Sequence, residues 1–210
     1  MKFNARHLGI TASLFAVGAS LGLAPGASAA ITIGQTFQPT AVCGVNTTSL
    51  QTSSPAHQYE APVAGTITSW SFQGPVDQVP ELKLKVARRA GDDSFKIIGE
   101  SPLVASLTAA LNTFPVQIPV QAGDLIGLYT KNGGKCANFS GPEYGQHYLL
   151  SEAMVNSSQP FIPTPSVQID VSATIETETG LRAAALKKCK KKHSRKARKR
   201  CKKKARRLPV

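Results

Sequence analysis

The chain has 210 residues and a formal net charge of +13, from 25 Lys and Arg against 12 Asp and Glu. The excess is concentrated: sixteen basic residues and no acid lie between Arg182 and Arg207, whereas the middle of the chain sets seven basic residues against all twelve acids. This excludes a uniformly basic chain and describes a mildly acidic globule carrying a cationic appendage.

At the start, Lys2, Arg6 and His7 precede an apolar run from Leu8 to Leu23, followed by Pro25-Gly26-Ala27-Ser28-Ala29-Ala30. A charged region, a short apolar region and small residues at the cut predict a signal peptide over 1–29, removed after Ala29. The run is shorter than the ~20 residues a spanning helix needs. No second apolar run follows, so the expectation is a secreted or extracellular protein, with association to the cell envelope through its tail and no transmembrane segment after cleavage. Export places Cys43, Cys136, Cys189 and Cys201 in an oxidising compartment, where an even count reads as disulfides. Sequence alone leaves three pairings open. The charge layout favours one bridge within the body, Cys43 to Cys136, and one within the tail. The spacings lack paired C-x₂-C units, so neither a metal nor a cofactor is expected.

Residues 30–180 read as a β-rich domain. Val167, Ile169, Val171, Ala173 and Ile175 alternate with polar residues over one long strand. Leu82 to Val86 alternates likewise and places Lys83 and Lys85 towards water. Val116, Ile118 and Val120 repeat the pattern, with Pro115 and Pro119 marking a sheet edge. Asp124 to Thr130 is dense enough for a strand covered on both sides. Weaker strands are expected at Ile31–Phe37, Thr66–Phe72, Phe95–Gly99 and Tyr148–Leu150, and Asn156 to Ser166 reads as a loop. Eight to ten strands separated by turn residues predict an all-β fold, a two-sheet antiparallel sandwich of jelly-roll type. Trp70 and Phe72 are assigned to its core.

The run from Asn112 to Tyr129, after Leu82-Lys-Leu-Lys-Val86, resembles a β-sandwich of uncharacterised exported proteins from high-GC Gram-positive soil bacteria. The ending Cys201-Lys-Lys-Lys-Ala-Arg-Arg-Leu-Pro-Val210 is similar to the termini of such proteins. The resemblance implies export and fold, and brings no activity or site residues.

Catalytic signatures are sparse. The body has two histidines, His57 and His147, and contains no G-x-S-x-G, H-E-x-x-H or Walker spacing. The expectation is a non-catalytic protein. A candidate ligand loop runs from Lys131 to Tyr148, where Phe139, Tyr144, His147 and Tyr148 accompany Gly133-Gly134 and Cys136 and would offer flat faces to a sugar or an apolar ligand. The competing reading is a connection stapled to Cys43.

In the tail, residues 181–210, Leu181, Ala185 and Cys189 are spaced by four, and Ala197, Cys201, Ala205 and Leu208 nearly repeat that spacing. Ser194 is placed to cap a second helix and Pro209 to stop it. Folding back near residue 195 sets Cys189 against Cys201 and Ala185 against Ala205, which predicts a basic helical hairpin clipped by a disulfide. Lys187, Lys188, Lys190, Lys191, Lys192, Arg195, Lys196, Arg198, Lys199, Arg200, Lys202, Lys203, Lys204, Arg206 and Arg207 are its candidate polyanion-binding residues. Such a density of cations binds anionic polymers by counterion release, tightly but without selectivity. With no aromatic platform in the tail, nucleic acid is a partner only as a non-specific polyanion.

The leading expectation is an exported binding or structural protein retained on anionic polymer of the wall or matrix, with a glycan as a candidate ligand of the β-domain. Two alternatives stay open: a secreted glycan-active enzyme with a cationic surface anchor, and an extracellular nucleic-acid-binding or antimicrobial protein.

Overall fold

The computed structural model describes residues 30–55, 58–192 and 194–207, with the side chains of 178–181 and 183–184 left aside. The expected leader (1–29), His57, the Leu181 and Leu208 side chains and the Pro209 stop lie outside the described residues. Fifteen strands run in the order β1 (Ile31–Gln35), β2 (Ala41–Cys43), β3 (Thr47–Ser53), β4 (Gly65–Gln73), β5 (Glu81–Arg89), β6 (Ser94–Glu100), β7 (Val104–Ala105), β8 (Leu111–Val120), β9 (Leu125–Thr130), β10 (Gly134–Phe139), β11 (Gly145–Leu149), β12 (Ser158–Pro160), β13 (Ile162–Pro165), β14 (Val167–Ile169) and β15 (Val171–Glu176). Two helices follow, α1 (Glu178–Lys190) and α2 (Arg195–Ala205). Most of the described chain is thus antiparallel β, as its alternating pattern implies.

The strands form three sheets: β1-β15-β4-β8, β14-β10-β2, and a larger one, β12-β6-β5-β9-β3-β11-β13, with β7 beside β5. Pro115 and Pro119 sit on β8, an edge strand, where a missing N–H breaks no internal ladder. Side chains of the four-stranded and larger sheets share one core: Ile67, Trp70 and Phe72 of β4 and Val171, Ala173 and Ile175 of β15 join Leu82, Leu84 and Val86 of β5 and Ile126 and Leu128 of β9. Trp70 packs against Phe114 at 4.9 Å between ring centroids. A second cluster, Leu50, Ala87, Phe95, Ile97 and Leu125, lies under Ala153 and Phe161. β9, with every residue buried, contributes to both clusters, matching its dense apolar run. Its Gly127 pairs with Lys85 on one side and Leu50 on the other, and a Cβ there would stand 2.0 Å from the Ser49 carbonyl oxygen.

Several expectations are corrected. The chain from Val167 to Ile175 is not one strand: at Asp170 it leaves the three-stranded sheet and enters the four-stranded one. The Asp170 carboxylate oxygens accept from the Phe37 and Gln73 backbone N–H groups, at 2.9 and 3.0 Å. Asn156 to Ser166 is not a loop, because β12 pairs with β6 and β13 with β11. Thr47–Ser53 carries too few apolar residues to read as a buried strand, yet its first five residues are buried. Its polar side chains replace missing backbone partners. The Gln51 amide donates to the Gly145 and Val167 carbonyls and accepts from Ile169 N–H, tying the larger sheet to β14.

Burial pushes the Asp170 carboxyl up to about 8, against the pull of the Phe37 and Gln73 N–H groups, which favour its ionised form. The folded chain therefore keeps a proton that the unfolded chain releases near its ordinary value of 3.8. This contribution to stability is full below the unfolded pKa and is lost as the pH rises through about 8. Thermal midpoints should fall more steeply from pH 5 to pH 9 in the native chain than in Asp170→Asn, whose amide does not titrate.

Candidate functional site

The C-terminal hairpin is built from residues that favour helix. Ala, Lys and Arg are among the better helix formers, and no Pro or Gly interrupts α2. Ser194, extended at φ −83° and ψ 135°, caps α2 by accepting from Ala197 N–H. Cys189 and Cys201 are bonded, with Cα atoms 5.5 Å apart, as the spacing predicts. Cys189 and Ala205 are buried and Ala185 and Cys201 half-buried, so small residues form the seam between the helices. The hairpin begins at Glu178, three residues before the expected boundary.

All fifteen candidate polyanion-binding residues are exposed. The ion pairs seen among the described residues all lie in the β-rich body. Arg195, Arg198, Lys199 and Lys202, spaced i, i+3, i+4 and i+7 along α2, border a shallow cleft of about 370 Å³. Lys199, Arg200, Lys202, Lys203, Arg206 and Arg207 border a wider one of about 740 Å³. Lys187, Lys188 and Lys190 stand in the last turn of α1, where the helix dipole favours cations. The first turn of α2 has no acid and begins with Arg195 and Lys196, so its dipole and its side chains both attract an anion.

The expected ligand loop instead supplies strands to two different sheets: β10, stapled to β2 by Cys43–Cys136, in the three-stranded sheet, and β11, between β3 and β13, in the larger one. Strand alternation divides the four candidate residues. Phe139 and Tyr148 line a groove of about 290 Å³ with Val42, Leu150, Gln146 and Thr164. Phe139 is 81% exposed. His147 points to the opposite face, with Nε2 2.9 Å from Asp93 Oδ1, Nδ1 2.9 Å from Thr52 Oγ1, and its ring edge-on to Phe95. The Thr52 hydroxyl also lies 3.1 Å from the Gly145 carbonyl oxygen, so it is tied to the backbone as well as to the ring. Tyr144 sits in the turn, where its backbone bonds Gly141 and Ser166, and it does not line the groove. Val42 was missed because it is a single apolar residue far from the loop in sequence, and Leu150 because it lies just beyond the loop, in a stretch read as a strand. Their only signal is exposure, which appears on folding.

A second feature overturns the expectation that Lys83 and Lys85 face water. Lys85 is fully buried and Lys83 largely so. Lys83 Nζ meets Glu152 Oε1 at 2.6 Å and Glu100 Oε1 at 3.2 Å. Lys85 Nζ meets Glu152 at 3.0 Å and the Ala153 carbonyl at 2.8 Å, and also bonds Glu100. Both ammonium groups lie over the Tyr129 ring. The segment carrying Glu152 and Ala153 covers this face of the sheet, so the lysines exchange water for carboxylates. Burial opposes ionisation of Glu152, but the hydrogen bonds from Lys83 and Lys85 outweigh it and hold its carboxyl below the ordinary range. The Glu152 hydrogen bond raises the Lys83 ammonium. Glu100 and Glu152 are each held by the same two cations.

Among the described residues, no His, Cys, Asp and Glu cluster could hold a metal and no helix is long and apolar enough to cross a membrane. No family model, curated protein or solved structure matches the chain.

Removing one member of the buried ion cluster leaves charges without partners. Lys85→Met should destabilise the fold by about 3–5 kcal/mol in urea titration, and adding Glu152→Leu should recover part of that loss.

Proposed function

We propose that the chain is an exported, non-catalytic binding or structural protein, held on anionic polymer of the cell envelope or extracellular matrix by its C-terminal hairpin. In this reading, residues 30–176 form a jelly-roll-like β-sandwich that the hairpin keeps at the surface. The observation that carries it is the set of fifteen exposed cations on and beside two short helices clipped at Cys189–Cys201. Cations held on a bonded hairpin lose less conformational freedom on binding than those of an open chain, so more of their attraction appears as affinity. Both cysteine pairs are bonded, which suits an oxidising compartment. The shared core of the larger and four-stranded sheets supports the sandwich. The leader-like start and the resemblance to exported β-sandwich proteins support export.

The partner class follows from the charge. Phosphate, sulfate or carboxylate groups repeated along a polymer satisfy successive cations, and each contact releases condensed counterions. Teichoic-type wall polymer, acidic polysaccharide and shed nucleic acid share this chemistry, and the hairpin has no aromatic ring with which to select one base sequence.

The test is retention of the intact chain on immobilised polyphosphate and on heparin as salt is raised. Engaging six to ten anionic groups would lower affinity by roughly 10³–10⁵ between about 50 and 200 mM salt. Reversing Lys199, Lys202 and Arg206 to Glu should weaken retention at low salt and flatten the salt slope, while leaving urea unfolding of the β-domain unchanged. Retention insensitive to both salt and charge reversal would reject the reading.

A further inference from the structure

The groove between the three-stranded sheet and β11 has a composition unlike the rest of the surface. Phe139, Val42 and Leu150 are large apolar residues left 81%, 68% and 69% exposed at its margins. Tyr148 adds a second aromatic side chain to the same wall. No charged residue lines the groove, in a chain whose hairpin is densely cationic. The remaining lining is hydroxyl, amide and small apolar, with Ser49 and Thr164 contributing oxygens. One polar atom is conspicuous: Gln146 Oε1 is buried and has no hydrogen-bond partner. A desolvated acceptor without a donor is costly, and a turn of the Gln146 amide that brought this oxygen to a ligand hydroxyl or amide N–H in the groove would remove that cost.

These features select a ligand class. The uncharged lining gives no compensation for a phosphate, sulfate or carboxylate, so the anions suited to the hairpin are not suited here. A purely apolar chain could cover Phe139 and Val42 but would supply no donor to Gln146. A sugar ring meets both demands, because its C–H face packs on an aromatic face and its equatorial hydroxyls donate at the rim. The groove is also at the small end of the ~300–1,000 Å³ typical of small-molecule sites. We infer that this groove, with Phe139 and Tyr148 as stacking faces and Gln146 as the hydrogen-bonding acceptor, is a binding site for a short segment of neutral polysaccharide.

The inference is independent of the polyanion reading, and the two can fail separately. Phe139 projects from the end of β10 with little contact to the core, so Phe139→Ala changes the face without removing a buried side chain. The intact, oxidised chain is titrated by calorimetry with cellohexaose, xylohexaose, mannohexaose and chitohexaose. At least one should bind with a Kd of roughly 1 mM or tighter, Phe139→Ala should weaken it about tenfold or more, and Phe139→Tyr, which keeps the ring, should stay within about threefold. Gln146→Leu should weaken binding without lowering the thermal midpoint, since it removes an acceptor that has no partner in the free chain. The Lys199, Lys202 and Arg206 reversal should leave saccharide binding unchanged. Absence of binding to all four oligosaccharides, or an affinity that Phe139→Ala does not alter, would overturn the site. A dimer that forms on concentration and is lost in Phe139→Ala, without saccharide binding, would also overturn it and assign the face to self-association.

Discussion

The fold depends on how the backbone is satisfied where the chain passes from one sheet to another at Asp170. A strand changing sheets leaves N–H and C=O groups pointing into the interior, and each costs free energy unless it is paired. Here Gln51 bonds the Val167 carbonyl and Ile169 N–H, Tyr59 Oη donates to the Ile169 carbonyl at 2.7 Å, and Asp170 N–H reaches the Cys136 carbonyl at 2.9 Å. The Asp170 carboxyl then collects Phe37 and Gln73 from two further segments. Five separate stretches of chain meet at this point. Burial of the Tyr59 hydroxyl raises its ionisation well above the ordinary value, so the bond to Ile169 persists through the alkaline range. The Cys43–Cys136 bridge lies in the same core and fixes β2 to β10 beside the crossing.

Much of the β character was legible, and the misses have a common cause. Alternation identified β5, β8 and β15, because their apolar residues recur at every second position, and β9 was legible as a dense apolar run covered on both sides. Alternation failed at β3, where buried positions are filled by Thr47, Thr48, Ser49 and Gln51. Those side chains take hydrogen bonds that no neighbouring strand supplies: Thr48 Oγ1 donates to the Ser151 carbonyl and accepts from Ala153 N–H. The same covering segment explains Lys85. Alternation placed it correctly on the face opposite Leu84, but local pattern carries no information about Glu152, 67 residues away, closing over that face.

The two candidate sites were legible to different degrees. The cationic hairpin was almost fully readable, because its bridge, cap and seam depend on spacings within thirty residues and its cations have few places to go but outwards. The groove was only half readable. Phe139 and Tyr148 stood close in sequence, but His147 between them belongs to the other face of β11, Gln146 shares Tyr148's face by alternation, and Val42 joins only through sheet packing. A cluster of aromatic residues in sequence is therefore not a cluster in space once a strand separates odd from even positions.

The seam of the hairpin has a further consequence. Among the described residues the seam is made of cysteine and alanine, which bury little apolar area, so the Cys189–Cys201 bond is a strong restraint on two mutually repelling helices. A thiol-rich setting would leave the number of positive charges unchanged and free the two helices to separate. The proposed grip of this chain would thus have an amount set by its sequence and a shape set by the redox state of its surroundings, and only outside a reducing compartment would both be present together.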